Sequence, residues 1–160
     1  MRSILVALTI VFIVFLSCDE QRVYERNADL ESGYWLVNEK PAFDFEITDS
    51  LVTYNLYCNV RNSLDYPFAR IFITYHLQDS SGIPMEKQMV SQLLFDEKTG
   101  QPFGETGLGD LYDHRMRLKK DYKFPRPGKY TISFEQFMRT DSLPGILAVG
   151  LRIEKSSPEE

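Results

Sequence analysis

The residue best placed to do chemistry in this 160-residue chain is Cys18. It follows one cation, Arg2, a nearly unbroken apolar run, Ile4 to Leu16, and the small residue Ser17. A basic start, an apolar middle and a small residue before the cut are typical of a secretory signal peptide. The run is shorter than the roughly 20 residues that a membrane-spanning helix needs. We therefore predict that residues 1–17 are a signal peptide that is cleaved off.

The cysteine lies directly after the predicted cleavage point. Phe15-Leu16-Ser17-Cys18 resembles a bacterial lipobox, with Phe15 in place of the usual leucine. In a lipobox the cysteine becomes the first residue of the mature protein, and its nucleophilic sulfur forms a thioether to diacylglycerol. Each buried methylene contributes about 0.8 kcal/mol, so two or more acyl chains such as palmitate would hold the protein on a membrane. The alternatives are a plain signal peptide cut elsewhere and an uncleaved anchor helix.

Other reactive side chains are few. The second cysteine, Cys58, is predicted to be a small buried hydrophobe on the apolar face of a strand. The only histidines are His76 and His114. The chain contains neither Gly-x-Ser-x-Gly nor the paired His or Cys spacings of zinc sites. We therefore expect no catalytic residues, no metal, no cofactor and no small-molecule substrate.

A glycine-rich stretch, 104–109, precedes Asp110 and Asp113 and raises the question of calcium. Calcium takes roughly six to eight oxygen ligands, often near flexible backbone. The EF-hand spacing is absent, and acidic residues in such a loop are usually solvated. The glycines also lack the order of a dinucleotide-binding loop.

Aromatic residues offer a possible binding surface. Tyr57, Tyr66, Phe68, Phe72 and Tyr112 could form a sugar- or protein-binding platform on one face of a sandwich. The pattern favours the interpretation that these five side chains fill the core or its rim.

The composition describes an ordered, acidic domain. Hydrophobic residues make up 43% of the chain, aromatic residues 13%, and the net charge is −5. Because Arg2 is the only charged residue before Cys18, the mature chain would carry −6. This balance disfavours nucleic acid and anionic lipid as partners.

Alternating apolar and polar residues predict strands with one buried face. The clearest patterns are residues 43–47, 51–61, 68–77, 130–134 and 147–153. Residues 85–95 fit a helical period as well as a strand, but their flanking turns favour a strand. Residues 112–118 fit either a short strand or a turn of helix. Seven or eight such strands predict an all-β fold, a single antiparallel β-sandwich, with a small β-barrel as the alternative.

The domain plan follows from these elements. Residues 18–32 are predicted to be a lipidated, polar tether with room for one short strand around Val23-Tyr24. Residues 33–155 form the predicted sandwich domain, and residues 156–160 a polar tail.

Several short blocks occur in one order along the chain. They are Tyr54-Asn55-Leu56-Tyr57, Asn59-Val60-Arg61-Asn62, Tyr66-Pro67-Phe68, Gly107-Leu108-Gly109-Asp110-Leu111-Tyr112-Asp113, Phe124-Pro125, Pro127-Gly128, Glu135-Gln136, Met138-Arg139, Leu143-Pro144-Gly145-Ile146 and Val149-Gly150-Leu151-Arg152-Ile153-Glu154. Together they resemble the gliding-motility lipoprotein H (GldH) family of Bacteroidetes. The signal segment and Val23-Tyr24-Glu25 extend the likeness forward.

The resemblance implies an envelope lipoprotein that acts as a structural or assembly component of the gliding-motility and type IX secretion machinery. It implies a membrane contact through lipid on Cys18, partners among other envelope proteins, and no catalytic residue. The acidic pair Asp19-Glu20 resembles a short surface-export signal of this phylum, which favours the outer membrane and leaves its two faces open. A surface-displayed module that binds carbohydrate or peptide is the alternative function.

Overall fold

A computed structural model describes residues 21–107 and 109–156, and these residues form strands joined by turns and loops. The strands are β1 Arg22–Asp29, β2 Tyr34–Leu36, β3 Ala42–Ile47, β4 Tyr54–Ser63, β5 Arg70–Asp79, β6 Pro84–Leu93, β7 Glu105–Thr106, β8 Leu111–Tyr122, β9 Gly128–Gln136, β10 Ser142–Pro144 and β11 Ile146–Lys155. Eight of these strands have six or more residues, and three are short. No helix capable of crossing a membrane occurs in this part of the chain.

Two antiparallel sheets pack face to face. One sheet has the order β1-β11-β4-β8-β7, the other β3-β9-β5-β6, and β10 pairs with β2 in a small ribbon. None of these sheets closes on itself, which rules out the small-barrel alternative and confirms the predicted all-β sandwich.

The core forms where the alternating apolar side chains of both sheets meet. In β4, for example, the side chains of Tyr54, Leu56, Cys58 and Val60 are buried, whereas those between them are partly exposed. Phe124 contacts several aromatic rings in this core, at centroid distances of 5.7 Å to Tyr54 and 4.7 Å to Tyr130. Such tilted ring pairs add to the stabilisation from apolar burial.

The connections place the loops at two opposite ends of the sandwich. The near end holds the first described residue and the β3–β4, β5–β6 and β8–β9 connections, that is residues 21–22, 46–53, 79–84, 119–129 and 155–156. The far end holds the other connections, residues 29–42, 63–70, 93–107, 109–113 and 136–146. The longer strands have about ten residues at ~3.3 Å each, so the two ends lie about 30 Å apart.

The predicted tether is wrong over residues 22–29, because these residues form β1, an edge strand paired with β11. The sandwich therefore begins at β1, eleven residues before the predicted boundary at residue 33. Only Tyr24 and Ala28 of this strand are partly buried, so the sequence lacks an alternating apolar pattern. Charged side chains are typical of edge strands, where backbone pairing on one side holds the strand in place.

Residues 112–118, predicted as a short strand or a turn of helix, belong to the 12-residue strand β8. His114, Met116 and Leu118 point into the core, and charged residues alternate with them on the outer face. A histidine at a core position made this alternation difficult to recognise.

Candidate functional site

Cys18, the predicted lipid-attachment residue, lies outside the described residues. Gln21 is the first described residue, and its backbone oxygen accepts a hydrogen bond from the backbone nitrogen of Lys155 at 2.8 Å. The sandwich therefore begins three residues after the predicted anchor, which leaves room for only a short linker.

The other cysteine is shielded from solvent. Cys58 is fully buried in the core, and burial raises the pKa of its thiol. Because the thiolate is the reactive form, this side chain is chemically inert in the folded protein.

His76 lies on the outer face of the four-stranded sheet in an ion-pair cluster. Its Nε2 is 3.1 Å from a carboxylate oxygen of Glu135, and the Nζ of Lys40 is 3.3 Å from the same oxygen. Partial burial works against ionisation of Glu135, but hydrogen bonds from His76 and Lys40 outweigh it and lower the carboxyl pKa. Ser133 lies opposite His76 in the pairing of β5 with β9, but the imidazole is hydrogen-bonded to Glu135, so we interpret the cluster as a surface network.

His114 faces the core near the far end. Only 4% of the residue is exposed, and its Nε2 has no hydrogen-bond partner among the described residues. Burial lowers the pKa of the imidazole, and the neighbouring Asp113 opposes this only partly. A Cβ on Gly104 would lie 2.7 Å from this Nε2, so the glycine makes room for the ring.

A polar network covers the outer face of the five-stranded sheet. Arg152, almost fully buried, donates to the carboxylates of Glu25 and Glu154. Asn59 donates to Glu25 and to Asn27 at 3.0 and 3.4 Å. Partial burial works against ionisation of Glu25, but its hydrogen bonds from arginine and asparagine outweigh it and lower the carboxyl pKa.

This network continues toward β7. Arg61 holds Asp113 with two hydrogen bonds of 2.8 and 3.1 Å, and the guanidinium of Arg115 lies 5.8 Å from the ring centre of Tyr57. Arg61, Asp113 and Arg115 line an open depression of about 470 Å³. Its opposite charges are largely paired with one another. No cluster of three or more potential metal-ligating side chains occurs within the described ranges.

The five predicted platform residues lie in different places. Tyr66 is buried, stacks on Phe95 and donates its hydroxyl to the backbone oxygen of Arg70 at 3.0 Å. Tyr57 and Tyr112 are partly buried on the sheet that carries the polar network. Phe68 and Phe72, in contrast, line an exposed groove. The structure therefore brings only two of the five together in a solvent-accessible surface.

This surface, the far-end groove, has a volume of about 450 Å³. It is lined by Phe68, Phe72, Met89, Phe137, Met138 and Arg139. The backbone nitrogen of Phe137 donates to the oxygen of Phe72 at 2.8 Å, and the side chain of Gln136 accepts from the Met138 nitrogen at 2.7 Å. These bonds fix the segment after β9, which leaves Phe137 61% exposed.

Sequence reasoning did not select Phe137, Met138 or Met89 as surface residues. Positions 130, 132, 134 and 136 of β9 are buried and the odd-numbered positions face outward, so Phe137 continues the outward-facing series. The alternation of β9 could therefore have identified Phe137 as a surface residue. Its neighbours in the groove could not be identified in this way, because long-range pairing brings them together.

Comparison with known proteins places this architecture in a family. Residues 22–153 match the family described as GldH lipoprotein. The match begins at the first residue of β1 and ends within β11, so it includes both sheets, the polar network and the far-end groove. The chain belongs to the GldH lipoprotein family.

Two curated relatives cover nearly the whole chain. The gliding motility lipoprotein GldH homolog of Christiangramia forsetii is 32% identical over 98% of this chain and 99% of its own length. The gliding motility lipoprotein GldH of Flavobacterium johnsoniae is 30% identical over 92% of this chain and 94% of its own. Both relatives carry the name of the family that the sequence blocks resemble, which confirms that resemblance.

Among solved structures, the VP2 subviral particle of infectious bursal disease virus resembles the chain only distantly. It is 12% identical, with 83% of this chain and 30% of that chain covered and a TM-score of 0.38. We draw no conclusion about this GldH-family chain from that likeness.

Proposed function

We propose that this protein is a lipid-anchored envelope component that acts structurally, or in assembly, within the gliding-motility and type IX secretion machinery. Its membership in the GldH family over residues 22–153 carries this proposal. The names of the two relatives, both gliding motility lipoproteins, support the motility role. The lipobox-like segment that ends at Cys18 supports the anchor.

A non-enzymatic role is part of the proposal. Cys58 is buried and inert, His76 is hydrogen-bonded to Glu135, and His114 faces the core. Nucleophilic or acid–base catalysis requires such groups to converge in an accessible cleft. The described lining of the polar depression includes His114 and three carboxylates but no serine, threonine or cysteine, and that of the far-end groove includes neither histidine nor carboxylate.

We place the protein at the outer membrane, because Asp19-Glu20 resembles a short form of the acidic export signal that follows the lipidated cysteine in Bacteroidetes.

The far-end groove is the surface on which we propose a partner docks. Within residues 21–107 and 109–156, seven of the eleven exposed large hydrophobic residues belong to the far end, namely Tyr34, Leu36, Val37, Leu64, Phe68, Phe103 and Phe137. Concentrations of exposed apolar surface mark interaction sites. The only charged side chain that lines the groove is Arg139, so the occupant that fits is an apolar segment of another envelope protein with a carboxylate to meet this cation.

The same groove bears on the alternative function, a module that binds carbohydrate or peptide. Peptide binding by Phe68 and Phe72 is contained in the proposed docking. Carbohydrate binding fits the groove less well, because a sugar presents many hydroxyls and Arg139 is the only charged or strongly polar side chain in the lining.

Cross-linking in intact envelopes tests the docking. A Phe137→Cys variant, treated with a thiol-reactive cross-linker, should form an adduct with an apolar, carboxylate-bearing segment of an envelope protein. Adding Arg139→Glu should reduce that adduct at least tenfold. Phe103→Cys is the matched control, since Phe103 is 56% exposed at the far end but does not line the groove. The lack of an adduct at position 137, the same adduct at position 103, or an adduct insensitive to Arg139→Glu would each contradict the docking.

A further inference from the structure

The near end of the sandwich must lie close to the lipid if Cys18 is the anchor. Gln21 follows Cys18 by three residues, and an extended chain spans at most about 3.5 Å per residue. Gln21, the residue before β1, therefore lies within about 10 Å of the lipidated residue. A 15-residue tether would have allowed any orientation, but this short linker does not.

Charge is distributed unequally between the two ends, although the whole chain is acidic. The near end carries seven basic and four acidic side chains, whereas the far end carries four basic and ten acidic ones. The near-end basic residues are Arg22, Lys119, Lys120, Lys123, Arg126, Lys129 and Lys155, and the acidic ones are Glu46, Asp49, Asp79 and Asp121. Although the overall charge disfavours anionic lipid as a partner, the described residues of the near end carry an excess of basic side chains.

Three of these cations have no carboxylate within ion-pair distance among the described residues. Lys119 pairs with Glu86 and Arg126 with Asp79, but Lys123, Lys129 and Lys155 are exposed without such a partner. The flanking segments carry four carboxylates of their own, Asp19, Glu20, Glu159 and Glu160. Attraction to a surface therefore depends on the position of the lysines more than on net charge.

Two apolar side chains project from turns at this end. Leu51 is 84% exposed, the largest value among the exposed large hydrophobic residues, and Ile83 is 60% exposed. Each turn is held by an aspartate, because Asp49 accepts from the Leu51 nitrogen at 2.8 Å and Asp79 from the Ile83 nitrogen at 3.1 Å. Such side chain–backbone bonds fix turns locally, so both apolar side chains are held outward.

We propose that the near end is a phospholipid-docking surface. In this arrangement, Leu51 and Ile83 enter the interfacial region of the bilayer that holds the anchor, and Lys123, Lys129 and Lys155 contact lipid phosphates. Basic residues around apolar side chains are the combination that interfacial binding uses. The proposal rests on the lipid anchor at Cys18, because the anchor brings this end to the membrane.

The docked orientation has a consequence for the partner. The far end, with its groove and its excess of acidic residues, then points away from the bilayer by about the length of the strands, roughly 30 Å. The groove is thus presented to proteins and is out of reach of the lipid.

Site-directed quenching in vesicles tests this orientation. The mature lipoprotein, carrying Leu51→Cys or Ile83→Cys, is labelled with a fluorophore and reconstituted in vesicles of phosphatidylethanolamine and phosphatidylglycerol that contain a nitroxide-labelled lipid. Cys58 does not interfere, since it is buried. Phe137→Cys and Leu64→Cys are matched far-end controls. Quenching at positions 51 and 83 should exceed that at 137 and 64 at least threefold.

A second variant distinguishes attraction by the lysines from the closeness to the bilayer that the anchor alone imposes. Combining Lys123→Glu, Lys129→Glu and Lys155→Glu should lower quenching at position 51 at least twofold, while fluorescence of the buried Trp35 reports that the fold is retained. Equal quenching at both ends, or no effect of the lysine substitutions, would overturn the docking surface alone. Failure to enter vesicles, with no acyl group on Cys18 by mass spectrometry, would overturn the anchor and the orientation together.

Discussion

At the residue scale, Gly150 shows how closely β1 and β11 pack. A Cβ added at this position would lie 1.8 Å from the side-chain oxygen of Asn27 and 2.7 Å from the backbone oxygen of Arg26. The glycine therefore allows Asn27 to lie across β11 and to accept a hydrogen bond from Asn59. One missing side chain thus permits the polar network on this face.

We expect Gly150→Ala to lower the free energy of unfolding by about 2 kcal/mol, the usual cost of forcing an extra carbon into a packed site. Denaturant unfolding, followed by the fluorescence of Trp35, measures this. Gly107→Ala is the control, because its Cβ would meet nothing closer than 3.5 Å and should change stability by less than about 0.5 kcal/mol. Equal stability of the two variants would show that β1 does not pack on Gly150 as described.

At the element scale, β1 is a long strand whose sequence lacks the alternating apolar pattern. It is tied to the core mainly by Tyr24, whose ring centre lies 6.0 Å from that of Phe45 on the opposite sheet. Val23, its neighbour, points toward solvent. The strand thus closes one edge of the sandwich with a single large side chain.

Tyr24→Ala should reduce the free energy of unfolding by about 1–3 kcal/mol, because it removes a partly buried ring from the contact between the sheets. Val23→Ala on the same strand should change it by less than about 0.5 kcal/mol. The same denaturant titration compares the two variants. Loss of stability in neither variant would support a tether over residues 22–29 in place of a strand.

Prediction from the sequence succeeds where burial alternates. The patterns at 43–47 and 147–153 reappear as β3 and β11, since one face of each strand packs on the core. Prediction fails for β1, because an edge strand needs only backbone pairing on one side. It fails for the far-end groove as well, because the groove combines Phe137 with Phe72, more than 60 positions earlier, and only the pairing of distant strands brings them together.

At the scale of the whole molecule, the two ends differ in chemistry. The near end combines basic residues with two projecting apolar side chains, beside the predicted anchor. The far end combines acidic loops with an apolar groove. Because the strands hold these ends about 30 Å apart, one small domain can contact lipid and protein at the same time. Such a two-ended molecule suits a structural link between a membrane and an envelope machine.

Colony spreading of a clean deletion strain tests the proposed role most directly. We expect deletion to abolish spreading, and the wild-type chain or a Cys58→Ala chain to restore it. A Cys18→Ala chain, which incorporates no labelled fatty acid, should fail to restore spreading even when it is produced in equal amount. Normal spreading of the deletion strain, or full restoration by Cys18→Ala, would contradict the account of a lipid-anchored gliding component.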